Sequence, residues 1–142
     1  MSTQDDVRAA STQFYAALNS MTDGDASPMA DVWSHDAYVT TLHPIGGRQT
    51  GWDEVRGSFD GVAELASSGR VELREQSIQV VGDLAYEIGV EYGQATIAGE
   101  RIAIEQRVTN IYRRQDGVWR IVHHHTDISP PMVELLSRLQ AA

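Results

Sequence analysis

Apolar residues recur at helical spacing near the start of the chain: Val7, Ala10, Phe14, Ala17 with Leu18, and Met21. This predicts an amphipathic helix over residues 1–21. Thr3 followed by Asp6 resembles a capping box with a shorter acid, and Asp5 and Asp6 suit the positive end of the helix dipole. Thr22 to Ser27 reads as a loop. Ser27-Pro28 then restarts a short helix, with Ser as N-cap and Pro in the first turn; its apolar side is Met29, Val32 and Trp33. Tyr38 to Leu42 is β-branched and aromatic and predicts a short strand, ended by Pro44-Ile45-Gly46-Gly47. Trp52, Val55, Phe59, Val62 and Ala66 mark a second long helix, closed by Ser67-Ser68-Gly69.

Beyond that point the period shortens to two. Strands are predicted over 70–81, 84–96, 100–114 and 118–127, with turn signals at Gly82-Asp83, Ala98-Gly99 and Asp116-Gly117. Pro130-Pro131 stops the last strand, and Met132 to Leu139 predicts a short terminal helix. Helices followed by a meander of strands imply an α+β class, in which an antiparallel sheet is covered by helices on one face. No repeat or linker divides residues 1–142, so one domain is expected.

Strand parity sorts the side chains. In 84–96 the apolar set is even (Leu84, Tyr86, Ile88, Val90, Tyr92), with Glu87 and Glu91 in the odd set. In 100–114 the even set is Ile102, Ile104, Gln106, Val108, Asn110 and Tyr112. A two-residue hairpin at Asp116-Gly117 pairs Tyr112 with Ile121, Asn110 with His123 and Val108 with His125. On this register Trp119, Ile121, His123 and His125 share the apolar face, while His124 faces outward. Gln106, Asn110, His123, His125 and Asp127 then make one end of that face polar. Apolar walls with a few convergent polar groups describe a small-molecule pocket.

Charge and composition narrow the chemistry. The 142 residues carry 11 basic and 20 acidic side chains, a net charge of −9 with a pI near 4.8. Such a surface repels phosphate backbones, so no nucleic acid partner is expected. Every basic residue is Arg; the absence of Lys excludes Schiff-base chemistry and a Walker lysine. The absence of Cys excludes disulfides, thiolate nucleophiles and Cys-type metal sites. No apolar run is long enough for a membrane helix, the N-terminus has no signal-like apolar core, and a cytoplasmic location is expected.

The stretch RVTNIYRRQDGVWRIVHHHTDISP resembles the end of the association domain of calcium/calmodulin-dependent kinase II and bacterial SnoaL-like proteins. AALNS, VWSHDAYVTTLHPIGG and GWDEVRGSF resemble the helix, strand and helix of the same nuclear transport factor 2-like superfamily. The resemblance covers nearly the whole chain. It implies a cone-shaped curved antiparallel sheet wrapped around N-terminal helices, with a cavity, and a homodimer formed through the outer sheet face. That face would bear Arg107, Thr109 and Ile111. It also implies either a ligand-binding or proton-transfer protein (an isomerase or dehydratase) or an assembly module with a vestigial pocket. The superfamily's ketosteroid isomerases carry a tyrosine where Phe14 stands and an aspartate base where His43 stands. Steroid isomerase activity is therefore expected to be negligible. The pocket arginine of the kinase association domain falls on Asn110.

These readings converge on one expected pocket lined by Trp33, Tyr38, His43, Asn110, Tyr112, His123 and His125. His43, His123 and His125 are the candidate catalytic groups, since imidazole titrates near neutrality. Trp33, Tyr38, Asn110 and Tyr112 are the candidate ligand-binding groups. The His-x-His pair permits a metal, but no HExxH or carboxylate signature accompanies it, and neither metal nor cofactor is expected. The expected partner is a small apolar or mixed-polarity molecule.

Overall fold

The computed structural model describes residues 3–141, so residues 1 and 2 of the first predicted helix lie outside the described part. Helix α1 spans Thr3–Thr22 and α2 Met29–Val32. Strand β1 is Thr40–Leu42 and β2 the two residues Gln49–Thr50; helix α3 follows at Trp52–Leu65. Four long strands come next: β3 Ala66–Val81, β4 Leu84–Ile97, β5 Glu100–Gln115 and β6 Val118–Thr126. Helix α4, Pro130–Ala141, closes the chain. The predicted α+β class is the one found, and so is the element order except for the two-residue strand β2, which was not expected.

The strands form one curved, unclosed sheet in the order β2-β1-β6-β5-β4-β3. Every neighbour is antiparallel except β1 and β6, which run parallel with Thr41 beside His124. A chain that crosses from β1 through α3 and the whole meander returns to β1's side, which a local pattern does not reveal. The hairpins at Ala98-Gly99 and Asp116-Gly117 have both central residues at positive φ (50° and 82°, 52° and 78°), the primed turns that suit right-twisted strands. The segment Ser67-Ser68-Gly69, expected to close α3, is instead part of β3. The helix ends at Leu65, Ala66 is already extended, and Ala98 N–H donates to Leu65 O at 2.8 Å.

α1, α3 and α4 cover one face of the sheet. Their core is Val7, Phe14 and Leu18 of α1, Val55 and Phe59 of α3, and Leu135 of α4, against Val71, Ile78, Ile104 and Ile121 of the sheet. Trp33 is fully buried between Phe14 and Phe59, with ring centroids 6.4 Å and 5.9 Å away. Burial of such side chains contributes about 1.5–3 kcal/mol each. Among the described residues no helix is long and apolar enough to cross a membrane.

Strands β3 and β4 approach closely at Gly93. Its φ is 155°, and a Cβ there would lie 1.9 Å from Arg70 O. Gly93→Ala is expected to cost on the order of 3 kcal/mol or more, since neither backbone can yield without breaking the β3–β4 ladder. Gly57→Ala is the control: the residue is helical and exposed, and a Cβ would meet nothing within 4 Å. It should gain about 0.5–1 kcal/mol. Urea unfolding of both variants checks the contrast.

Candidate functional site

The turn at Ala98-Gly99 pairs Ile97 with Glu100, so odd positions of β4 meet even positions of β5. Glu87 stands opposite Asn110, Glu91 opposite Gln106 and Ala85 opposite Tyr112. The inner face of β4 therefore carries both acids. The even set, expected on the apolar inner face, points outward: Leu84, Tyr86, Ile88 and Tyr92 are all exposed. The expectation failed because it followed hydrophobicity and not the pairing that the turn imposes.

A second correction lies in β6. Tyr112 pairs with Ile121, as expected, but Ile111 pairs with His123, so Val122 is an extra residue in a β-bulge. Every position beyond it changes face. Asn110 meets His124, which is 2% exposed, while His123 and His125 turn to the outer face. There His123 Nδ1 bonds Thr40 Oγ1 at 2.6 Å, and the two outer imidazoles meet edge to face.

Inside, a continuous hydrogen-bonded network joins four strands, β3 to β6, to α1. Glu91 Oε2 accepts from Tyr15 Oη at 2.9 Å and its Oε1 from Gln106 Nε2 at 2.8 Å. Glu87 Oε1 accepts from Asn110 Nδ2 and Tyr112 Oη, and its Oε2 from Gln76 Nε2. Asn110 Nδ2 also donates to Tyr15 Oη at 3.0 Å. With both amide hydrogens engaged, the Asn110 oxygen must accept, and it takes the proton of His124 Nδ1 at 2.6 Å. His124 Nε2 is then the unprotonated nitrogen, 3.9 Å from Glu91 Oε2. His43 follows the same logic. Ser58 Oγ donates to Val55 O, so it accepts from His43 Nε2 at 2.8 Å and leaves Nδ1 unprotonated.

The electrostatics follow from burial. Desolvation, reinforced by Glu87, pushes the Glu91 carboxyl up from 4.5 to about 7, against the pull of the Gln106 and Tyr15 hydrogen bonds. Desolvation lowers His43 to about 4. It also holds His124 well below its usual value, helped by His43, His123 and His125. Tyr15 and Tyr112 are pushed up by burial and the nearby acids and stay protonated donors.

Glu91, Gln106, His43 and His124 line one cavity of about 90 Å³ between the sheet and the helices. Its remaining wall is mostly apolar: Leu18 and Met21 of α1, Phe59 and Val62 of α3, Val71 and Ile104 of the sheet, and Met132, Leu135 and Leu136 of α4. Among the described residues no three His, Asp or Glu side chains form a group able to hold a metal ion.

Of the seven residues expected to share a pocket, only His43 lines this one. Asn110 and Tyr112 are buried behind it in the network, and Trp33 is packed in the core between Phe14 and Phe59. Tyr38 lies outside, 47% exposed, its Oη accepting from Arg113 and Gln115. His123 and His125 lie across the sheet. Tyr15, Glu87, Glu91 and His124 were missed. The Ala98-Gly99 pairing was the available signal for the two acids.

The fold is that of the nuclear transport factor 2-like proteins. A proposed dehydratase of that family from Streptomyces avermitilis is 23% identical, covering 89% of this chain and 95% of its own, with a TM-score of 0.77. A proposed calcium/calmodulin-dependent protein kinase type II association domain from Thiobacillus denitrificans is 27% identical over 86% of this chain and 94% of its own (TM-score 0.69). A superfamily member from Salmonella enterica is 18% identical over 85% and 92%, with a TM-score of 0.71. The SnoaL-like domain model matches residues 7–132, and the chain belongs to that family. No curated protein matches it in sequence.

The raised Glu91 value has a stability consequence. Unfolded chains lose the Glu91 proton near pH 4.5 and the folded protein near 7, so this group's contribution falls as pH rises between them and is constant above. His43 and His124 act oppositely, weakening the fold as pH drops below 6.5. Comparison with Glu91→Gln isolates the carboxyl. The variant should gain about 3 kcal/mol on wild type between pH 4.5 and 7, read by urea unfolding at each pH.

Proposed function

We propose that the cavity binds a compact, largely apolar small molecule and that Glu91 moves a proton on it. The observation that carries this reading is a carboxyl held near neutrality by burial, at the wall of an apolar cavity, beside two unprotonated imidazole nitrogens. General acid–base catalysis is most effective when the catalytic group titrates near the working pH, and it typically contributes about 10²–10⁴-fold. Tyr15 and Gln106 position the carboxyl through its two oxygens, and His124 Nε2 stands 3.9 Å from it. Isomerisation and dehydration both need a proton transfer. The similarity to a proposed dehydratase supports the class, and no cofactor is required for it.

A generic proton-abstraction substrate tests this without knowledge of the natural one. Nitrobenzisoxazole ring opening should exceed the buffer rate, rise as pH passes about 7, and disappear in Glu91→Gln. A rate equal to buffer at every pH, or one unchanged in Glu91→Gln, removes the proton-transfer reading.

We also propose that two copies pair through the outer sheet face. Leu84, Tyr86, Ile88 and Tyr92 form an apolar stripe there, each 41–49% exposed, beside Arg107, Thr109 and Ile111 on β5. An isologous contact buries the same stripe on both copies. Sedimentation should give twice the 15.6 kDa chain mass, and Ile88→Glu should return the single-chain value. A larger ring whose stability no small molecule alters would favour the rival reading, an assembly module, which the similarity to a kinase association domain supports.

A further inference from the structure

The cavity has an asymmetry between donors and acceptors that its size and greasiness do not require. Each side-chain donor atom on its wall already has an acceptor, and one Gln106 Nε2 hydrogen is the donor left over. Thr22 Oγ1 donates to Asn19 O at 2.7 Å, and Gln106 Nε2 donates to Glu91. The Tyr15 hydroxyl behind the wall also donates to Glu91. The acceptors are not all engaged. Gln106 Oε1 is buried with no hydrogen-bond partner. His43 Nδ1 and His124 Nε2 carry lone pairs that the Ser58 and Asn110 bonds leave free. His124 Nε2 and Glu91 Oε2 are 3.9 Å apart, too far to bond each other. Among the described residues no arginine lines the cavity, and the sequence has no lysine.

We infer that the molecule taken by this cavity is uncharged and carries a hydrogen-bond-donating hydroxyl on a compact apolar body. The inference rests on the reading of the cavity as a binding site and names the class of ligand. A hydroxyl gives a proton to one of the open acceptors, and the apolar body covers Leu18, Phe59, Ile104 and Leu135. A hydrocarbon of the same shape leaves the acceptors unpaired, which weakens it relative to the alcohol. A carboxylate finds no counter-charge, and it meets Glu91 at the inner wall with Glu87 behind it, so its own charge must be buried unpaired. The groups facing Glu91 come from every packed element: Tyr15 of α1, Glu87 of β4, Gln106 of β5, His124 of β6, and His43 after β1. None is a cation at neutral pH.

Phenol, toluene and benzoate share a ring and differ in one substituent, so they separate the terms. Calorimetric titration of the full chain at about pH 8 is expected to show phenol binding about tenfold tighter than toluene, a gap of one neutral hydrogen bond. Benzoate should bind at least about a hundredfold more weakly than phenol. In His124→Phe the phenol advantage over toluene should shrink to about twofold or less. If that variant does not fold, Gln106→Met gives the same comparison at a second of the three acceptors. Toluene equal to phenol, or benzoate the tightest of the three, overturns the inference while leaving the cavity a binding site. A phenol advantage unchanged in both folded variants overturns the assignment to these acceptors. Binding by none of the three overturns the inference together with the binding-site reading.

Discussion

Two carboxyl groups, Glu87 and Glu91, point inward from one strand into the interior, and among the described residues no arginine pairs with either. Burying such groups is tolerated only where hydrogen bonds replace the water they have lost. That requirement organises the molecule. Glu87 draws Asn110, Tyr112 and Gln76 around it; Glu91 draws Tyr15 and Gln106. Because Tyr15 belongs to α1 and the others to β3, β4 and β5, the same bonds dock the first helix onto the sheet. The polar network is thus a structural joint as well as the wall of a cavity. Gly89 and Gly93, on either side of Glu91, let β3 approach closely: a Cβ at Gly89 would lie 2.7 Å from Leu73 Cδ1 and one at Gly93 1.9 Å from Arg70 O.

Much of the architecture was legible in the residue pattern. Helices α1 and α3, the four long strands and the three tight turns follow from spacing and turn chemistry that act locally. The resemblance of the C-terminal stretch to nuclear transport factor 2-like proteins supplied the topology. The site was less legible, for two separable reasons. In β4 the more hydrophobic face is the outer one, so hydrophobicity points the wrong way. Only the pairing imposed by Ala98-Gly99 reveals that Glu87 and Glu91 oppose Asn110 and Gln106. A strand whose apolar side lies outward is consistent with that side being covered by a second copy, and parity alone cannot distinguish such a face from a core.

In β6 the difficulty is of another kind. Trp119 and Ile121 face inward and three consecutive histidines follow. Either parity then places an imidazole inside, so the pattern carries no information about the bulge at Val122. Ile121 and Val122 are both apolar and both buried, and nothing in their chemistry marks one as the extra residue. The bulge replaces an inner pair of imidazoles, His123 and His125, with a single one, His124. It places His124 beside Glu91, and beside the His43 ring at 6.2 Å.

The proton arrangement in the interior is set by this geometry and not by the histidines themselves. Asn110 has one carbonyl and two amide hydrogens. Glu87 and the Tyr15 oxygen take both hydrogens, so the carbonyl is left for His124 Nδ1. The amide thereby fixes the tautomer of His124 and turns its lone pair toward Glu91. Arginine in place of Asn110 would bring five donors and a fixed positive charge to the same spot. It would favour ionised Glu91, take away the carbonyl that His124 Nδ1 needs, and reopen the interior to anions. One side chain therefore separates an interior suited to carboxylates from one that keeps a carboxyl near neutrality beside free imidazole lone pairs. The balance here rests on an uncharged amide, whose two ends impose opposite hydrogen-bonding roles on the acid and the base.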